Sequence, residues 1–286
     1  MVLPRSGVHD RPFAFTLTEL IAVVAMLALA MFAFTPVLSR TRSAGQTIGC
    51  LHNVKQLIDA WQMYARDNND RIVSVQQGGN ALGGNYDPKF GPPWASGWLD
   101  WTLSTDNTNV AFLINERYAK LARYVTGKPR VFRCPADNSV SSFQKARGWT
   151  SRARSYSGSI GLGEGNAEAG PWSSLYRHVL KTSDLLYPSP PETFVFIEEH
   201  ADSINDPAFL SPSQNTWVDL PALRHEGGAA VSFADGHAEL HRWAGSLTPF
   251  KSVRFNQSWF PFPVAQHDPD LHWVSFHTQR TSPNSY

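Results

Sequence analysis

The sequence predicts an α+β fold, in which a long N-terminal helix packs on a loop-rich head built on an antiparallel β-sheet. Three observations support this prediction. Residues 20–34 carry no polar side chain, a helical apolar stripe follows them, and short β-branched and aromatic segments lie in the second half of the chain. At 286 residues the chain is long enough to bury a core.

The apolar segment is predicted to be transmembrane. Residues 17–38 would form roughly 33 Å of helix, enough to cross a hydrocarbon core of about 30 Å. Four residues interrupt this stretch: Thr18, Glu19, Thr35 and Pro36. A buried core helix and a secretory signal peptide remain alternatives for the segment.

The helix is predicted to continue beyond the apolar segment. Apolar residues recur every three or four positions, which favours one buried face: Ile48, Leu51, Val54, Ile58, Trp61 and Ala65. Polar turn-forming residues at 67–70 predict its end. The predicted parts are therefore a transmembrane part at 15–38, a soluble helical half at 39–68, and a globular head at 69–286.

The head is predicted to combine one helix with several strands. The helix is expected over 109–125, and strands over 131–134, 154–160 and 193–197. A hairpin is predicted from 229–233 and 238–243, and Asp235-Gly236 between them favours a type I′ turn.

Composition excludes several function classes. Lys and Arg number 25 against 24 Asp and Glu, so no basic excess suggests a nucleic-acid partner. Two cysteines exclude a four-cysteine zinc site. The chain has neither a phosphate-binding loop nor a Gly-x-Ser-x-Gly elbow, and we expect a protein that is not an enzyme.

The segment Phe15-Thr16-Leu17-Thr18-Glu19-Leu20 and the apolar run after it resemble the processing motif of type IV pilins and type II secretion pseudopilins. In that family a prepilin peptidase removes a short basic leader, and the new N-terminus is methylated. The resemblance implies a leader at 1–14, cleavage between Ala14 and Phe15, and pairing of Glu19 with the terminal amine of a neighbouring subunit. Ala14 stands where the family usually has Gly.

The same resemblance implies a pilin-like fold and a structural subunit of a pilus or pseudopilus. The expected partners are the prepilin peptidase, other pilin-like subunits and the inner membrane. The protein would cross that membrane once, with its head in the periplasm or at the cell surface.

The C-terminal half resembles pseudopilin-like proteins that carry an H-x9-D-G motif. The motif residues here are His225, Asp235 and Gly236. The resemblance extends to the segments around Cys50 and Cys134, and it assigns no chemistry to the motif.

The two cysteines are predicted to form a disulfide. A head outside the cytoplasm would be in an oxidising compartment, so a bridge between Cys50 and Cys134 would tie the helix to the head. Two buried free thiols are the alternative.

Three further interpretations stay open. A set of acids and histidines could serve a metal-dependent hydrolase: Glu198, Glu199, His200, Asp202, Asp206, His225, Asp235, His237 and His241. Calcium is a possible cofactor, with Glu199, Asp202, Asp206 and Asp235 as candidate ligands. Ten tryptophans could indicate a membrane-anchored surface or glycan-binding protein, although large aromatic side chains more often fill a core.

Overall fold

The computed structural model describes residues 16–165, 176–212, 215–256 and 262–282. The predicted leader at 1–14, including Ala14, and the predicted first mature residue Phe15 lie outside the described residues. The chain divides into two compact units, Met1–Ala44 and Gly45–Tyr286.

Helix α1 (Leu17–Asp67) begins in the first unit with a capping box. The Glu19 carboxylate accepts hydrogen bonds from the Thr16 backbone N–H at 2.9 Å and the Thr16 hydroxyl at 2.7 Å. The Glu19 N–H in turn donates to Thr16 Oγ1 at 3.3 Å. This reciprocal arrangement satisfies donors that a helix start otherwise leaves unpaired.

The predicted transmembrane helix is wrong. Among the described residues, no helix is long and apolar enough to span a bilayer. The uninterrupted apolar run at 20–34 is shorter than the ~20 residues that a spanning helix needs, and polar residues flank it on both sides. The assignment of 15–38 as a transmembrane part, and with it the pilin-like version of the fold, is corrected accordingly.

In the second unit α1 contributes one face to the core. Its fully or nearly fully buried apolar residues are Cys50, Val54, Leu57, Ile58, Ala60, Trp61 and Ala65. Ile48, which the apolar stripe predicted to be inward, is 67% exposed. Cys50, Val54, Leu57 and Trp61 follow one another at spacings of four, three and four residues and define the buried face of the helix. Ile48 does not lie on this face.

The head has a five-stranded sheet in the order β3-β1-β2-β5-β6. Its strands are β1 (Tyr156–Ser159), β2 (Phe194–Glu198), β3 (Ala208–Phe209), β5 (Gly228–Phe233) and β6 (Ala238–Arg242). A separate pair consists of β4 (Thr216–Trp217) and β7 (Phe262–Pro263). The described part of the head also contains three α-helices and several short 3-10 helices. The α-helices are α2 (Ala111–Ile114), α3 (Ser142–Ala146) and α4 (Pro269–Phe276).

The α+β class is confirmed, but the sheet is mixed rather than antiparallel. Strands β1–β2, β2–β5 and β5–β6 pair antiparallel. Strand β3 pairs parallel with β1, with Gly158 opposite Ala208. The chain reaches β3 from β2 through residues 199–207, so β3 joins the far edge of β1 instead of forming a hairpin.

The sheet separates two apolar layers. Phe196 of β2 and Ala230 of β5 pack with α1, Trp94 and Phe132 in the first layer. Phe194 and Ile197 pack with α4 and two tryptophans, Trp217 and Trp243, in the second. A register shift between Phe194 and Phe196 turns these two residues to opposite layers, although a regular strand would place them on one face.

Candidate metal centre

Four metal-ligating side chains converge in the core of the head: Cys50, Cys134, Glu198 and His225. One potential ligand atom from each lies within 4.8 Å of the others. The four side chains come from four separate segments, and all are at most 2% exposed. We call them the four-ligand cluster.

Each ligand has a defined backbone support. Cys50 lies on the buried face of α1, and Glu198 is the last residue of β2, opposite Tyr156 of β1. Cys134 begins a turn over 134–137, closed by a 3.0 Å hydrogen bond from Asp137 N–H to the Cys134 carbonyl. Pro135 at the second position of that turn favours this geometry.

His225 precedes β5 in a two-residue turn. Its N–H and carbonyl bond the carbonyl and N–H of Gly228 at 3.2 and 3.1 Å. Glu226 and Gly227 both have positive φ, 56° and 87°, as a primed turn requires. This turn places the imidazole against Thr47 of α1.

The interatomic distances within the cluster are short. His225 Nε2 lies 3.2 Å from Cys134 Sγ and 3.2 Å from Glu198 Oε2. Cys50 Sγ lies 3.3 Å from Glu198 Oε2. The other imidazole nitrogen, Nδ1, lies 3.0 Å from the Thr47 hydroxyl oxygen.

A second layer of polar groups surrounds the cluster. Arg224 donates to Glu198 Oε1 at 2.9 Å, and its other terminal nitrogen lies 3.1 Å from Asp137. The Tyr156 hydroxyl lies 3.0 Å from Cys50 Sγ. The Ala136 N–H donates to Cys134 Sγ at 3.4 Å. These contacts fix both sulfurs and the carboxylate.

The environment changes the ionisation of all four groups. Burial would raise the pKa of Glu198, but the hydrogen bond from His225 and the charge of Arg224 outweigh burial and lower that pKa to about 2. Burial also opposes charging of His225, yet contacts with Cys134 and Glu198 raise its pKa to about 10. Burial raises the pKa of Cys50, whereas at Cys134 hydrogen bonds from Cys50 and His225 outweigh burial and lower the pKa.

The predicted disulfide is not formed, because Cys50 and Cys134 are both free buried thiols. Sequence reasoning paired these two cysteines with each other and placed Glu198 and His225 in a separate hydrolase set. In the structure the two cysteines and the Glu198–His225 pair instead form one group. The even cysteine count and the His/carboxylate set were both visible, but their convergence depends on the tertiary fold.

The other metal candidates do not form such a group among the described residues. Asp202 accepts from the N–H groups of Arg254 and Asn256, and Asp206 accepts from those of Gly78 and Ala208. Glu199 is fully buried and accepts from Ser203. These acids stabilise loops by accepting hydrogen bonds rather than converging on one centre.

The two parts of the H-x9-D-G motif lie at different places. His225 belongs to the cluster, whereas Asp235 and Gly236 form the turn between β5 and β6. The Asp235 carboxylate accepts from the His237 N–H at 3.0 Å and lies 2.7 Å from His237 Nδ1. A single site built from all three motif residues is therefore not present.

The described tryptophans do not form an exposed aromatic surface. Trp61, Trp94, Trp217 and Trp243 are buried, and Trp98, Trp101, Trp149 and Trp273 are partly buried. The Trp94 and Trp217 indoles donate to Pro207 and Ser246. These rings support the core, as large aromatic side chains usually do.

Comparison of the chain with protein-family models, curated proteins and solved structures gives no match.

Proposed function

We propose that the protein is a pilin-like structural subunit, processed by a prepilin peptidase before Phe15 and assembled with other pilin-like subunits into a pilus or pseudopilus. Its head would lie outside the cytoplasm. The observation that carries this proposal is the segment Phe15-Thr16-Leu17-Thr18-Glu19 directly before the apolar run at 20–34.

The start of α1 supports the proposal. The helix begins at Leu17, two residues beyond the proposed cleavage point, and Glu19 caps it. A new N-terminus at Phe15 would therefore lie one residue from the cap and within about one helical turn of the Glu19 carboxylate. The amine of a neighbouring subunit could pair with the same carboxylate, because opposite charges attract strongly where water is excluded.

The first part of α1 also offers a surface for helix association. Its described large apolar side chains are exposed in the single chain: Leu17, Leu20, Ile21, Val23, Val24, Met26, Leu27, Leu29, Met31 and Phe32. A contiguous exposed apolar surface is typical of an interaction site. Packing of such helices against one another would cover it.

The four-ligand cluster favours a structural role over the hydrolase alternative. A catalytic metal needs an open position for water or substrate, whereas the ligand atoms of these four side chains lie within 4.8 Å of one another and all four side chains are buried. Two cavities of about 450 Å³ in the described part of the chain have none of the four cluster residues in their linings.

Mass spectrometry of the mature chain tests the processing step. We expect Phe15 at the N-terminus, carrying a methyl group, and we expect Ala14→Gly to be cleaved at least as completely. Retention of residues 1–14 in most molecules, in cells that contain the peptidase, would show that the motif is not processed.

Two substitutions at Glu19 separate capping from assembly. Glu19→Gln keeps an oxygen that can accept from Thr16 but removes the charge, whereas Glu19→Leu removes both. We expect both variants to lose subunit cross-linking and filament recovery, with Glu239→Gln, an exposed acid in β6, as the control. If Glu19→Gln assembles like wild type, capping alone explains the residue.

A further inference from the structure

We propose that Cys50, Cys134, Glu198 and His225 bind one zinc ion in a closed, four-coordinate structural site that fastens the C-terminal part of α1, residues 45–67, to the sheet of the head. This site goes beyond the proposed filament function and does not depend on it.

The geometry of the ligand atoms fits zinc. Bond lengths of about 2.0–2.3 Å place the ligand atoms of a tetrahedral zinc site roughly 3.3–3.8 Å apart. Three separations in the cluster are 3.2, 3.2 and 3.3 Å, and none of the four atoms is more than 4.8 Å from another. Two sulfurs, one imidazole nitrogen and one carboxylate oxygen are ligand types that zinc accepts, and sulfur-rich tetrahedral sites favour it.

The imidazole is oriented as a metal ligand. His225 Nε2 faces both Cys134 and Glu198, while Nδ1 faces the Thr47 hydroxyl. An Nδ1–H donated to Thr47 leaves the Nε2 lone pair directed to the centre, which is the outer-layer arrangement that metal-bound histidines commonly have.

The same orientation argues against a nucleophilic Cys-His-Glu triad. In a triad the nucleophile and the acid contact opposite nitrogens of the imidazole. Here Cys134 and Glu198 share Nε2, and the opposite nitrogen contacts a hydroxyl. Both thiols are also buried, so no substrate reaches them.

The charges around this position are compatible with a divalent cation. Zinc with two thiolates, one carboxylate and a neutral imidazole has one net negative charge. Arg224, which donates to Glu198 and also lies 3.1 Å from Asp137, offsets part of this negative charge. Buried charges are tolerated when they are paired or bound to a metal.

The supporting contacts suit metal-bound sulfur. The Ala136 N–H donates to Cys134 Sγ, and the Tyr156 hydroxyl, which donates to the Cys50 carbonyl at 3.0 Å, lies 3.0 Å from Cys50 Sγ. Polar groups that contact the metal ligands hold those ligands in position and raise metal affinity. Since the ligands come from α1, a loop, β2 and the turn before β5, zinc would cross-link four segments that are far apart in sequence.

The test begins with the full chain purified without chelator and with reductant present. Metal analysis is expected to find about one zinc ion per chain, and removal by a chelator is expected to lower the Tm by roughly 10 °C or more, restored by added Zn²⁺. Cobalt added to the metal-free chain is expected to give thiolate-to-cobalt charge-transfer absorption and the strong visible bands of tetrahedral coordination.

Variants assign the ligands. Cys134→Ser and His225→Gln are expected to lose most of the bound zinc and the corresponding cobalt bands. His52→Gln, an exposed histidine on α1 near Cys50, is expected to retain both. The spectra of the wild-type chain decide the question even if a ligand variant fails to fold.

Three results would overturn the proposal. One is a wild-type chain without stoichiometric metal that also fails to bind added Zn²⁺ or Co²⁺. A second is a Cys50–Cys134 disulfide in the native protein, detected by non-reducing peptide mapping. The third is zinc that stays bound after both cysteines are replaced, because the metal would then lie elsewhere.

Discussion

Gly228→Ala is expected to destabilise the head by a purely steric mechanism. Gly228 is the first residue of β5 and closes the turn that carries His225. A Cβ added there would lie 2.5 Å from the His241 carbonyl oxygen and 3.2 Å from its carbonyl carbon. Both are backbone atoms of the neighbouring strand β6, so no side-chain rotation relieves the overlap.

The size of the effect follows from the required movement. Restoring an ordinary carbon–oxygen contact means displacing β5 from β6 by several tenths of an ångström, where Gly228 opposes Arg242 in the register. Overpacking of this kind costs about 1–3 kcal/mol. For a domain of this size it corresponds to a Tm fall of roughly 2–12 °C.

Gly45→Ala is the matched control. Gly45 lies in α1, is exposed, and has open space where the Cβ would be placed. Alanine is favoured over glycine in a helix by about 0.5–1 kcal/mol, so this variant is expected to equal or exceed wild-type stability. Thermal and urea unfolding of both variants, followed by circular dichroism and tryptophan fluorescence, compare the same chemical change with opposite expected signs. Equal stability of Gly228→Ala and wild type would refute the steric argument.

Two further predictions concern the core and the response to acid. Trp94→Ala is expected to cost about 3–5 kcal/mol in urea unfolding, because it removes a fully buried ring and its hydrogen bond to Pro207, whereas Trp149→Ala, at a partly buried site, is expected to cost much less. Burial, together with the nearby His277, lowers the pKa of His241 to about 4, below its usual 6.5. The unfolded chain therefore binds more protons between these values, and stability that is present above pH 6.5 is lost as the pH falls towards 4. His241→Gln is expected to flatten this part of the unfolding profile, and an unchanged profile would contradict the assignment.

Local sequence patterns were sufficient where one strand or hairpin determines the structure. The β-branched and aromatic segment at 193–197 predicted a strand, and β2 covers Phe194–Glu198. The two segments around Asp235-Gly236 form the antiparallel pair β5–β6. Apolar continuity marks a buried strand and requires no knowledge of distant residues.

The same hairpin shows where the local rule fails. Asp235-Gly236 predicted a type I′ turn, which needs positive φ at both residues. Of the two, only Gly236 has positive φ, at 102°. Phe233 N–H bonds the His237 carbonyl and Gly236 N–H bonds the Phe233 carbonyl, so the loop has three residues and ends in a left-handed glycine. The pairing of Ser232 with Ala238 determines the loop length.

Loop-rich regions were predicted less well, because single residues interrupt apolar patterns. The helix expected over 109–125 is reduced to α2 and a short 3-10 helix, since Asn115 adopts an extended conformation between them. The strand expected over 131–134 is not formed, because Val131 and Phe132 end a 3-10 helix, Pro129–Phe132, with proline in its first turn. The parallel strand β3 has two residues and carries too little pattern to be recognised.

The candidate centre also explains the spacing of the H-x9-D-G motif. His225 lies at the start of the turn that precedes β5, and Asp235-Gly236 lies in the turn that follows it. The nine residues between His225 and Asp235 are therefore a two-residue turn, the six residues of β5 and one loop residue. Side chains alternate along this strand, with Ala230 in the α1 layer and Ala229, Val231 and Phe233 in the opposite layer. A change of one residue in the spacing would invert these faces or misplace the hairpin turn against Gln62 of α1, which donates to the Ala234 carbonyl. The spacing therefore reflects the length of a buried strand, which has the turn that carries His225 at one end and the contact of Ala234 with Gln62 of α1 at the other.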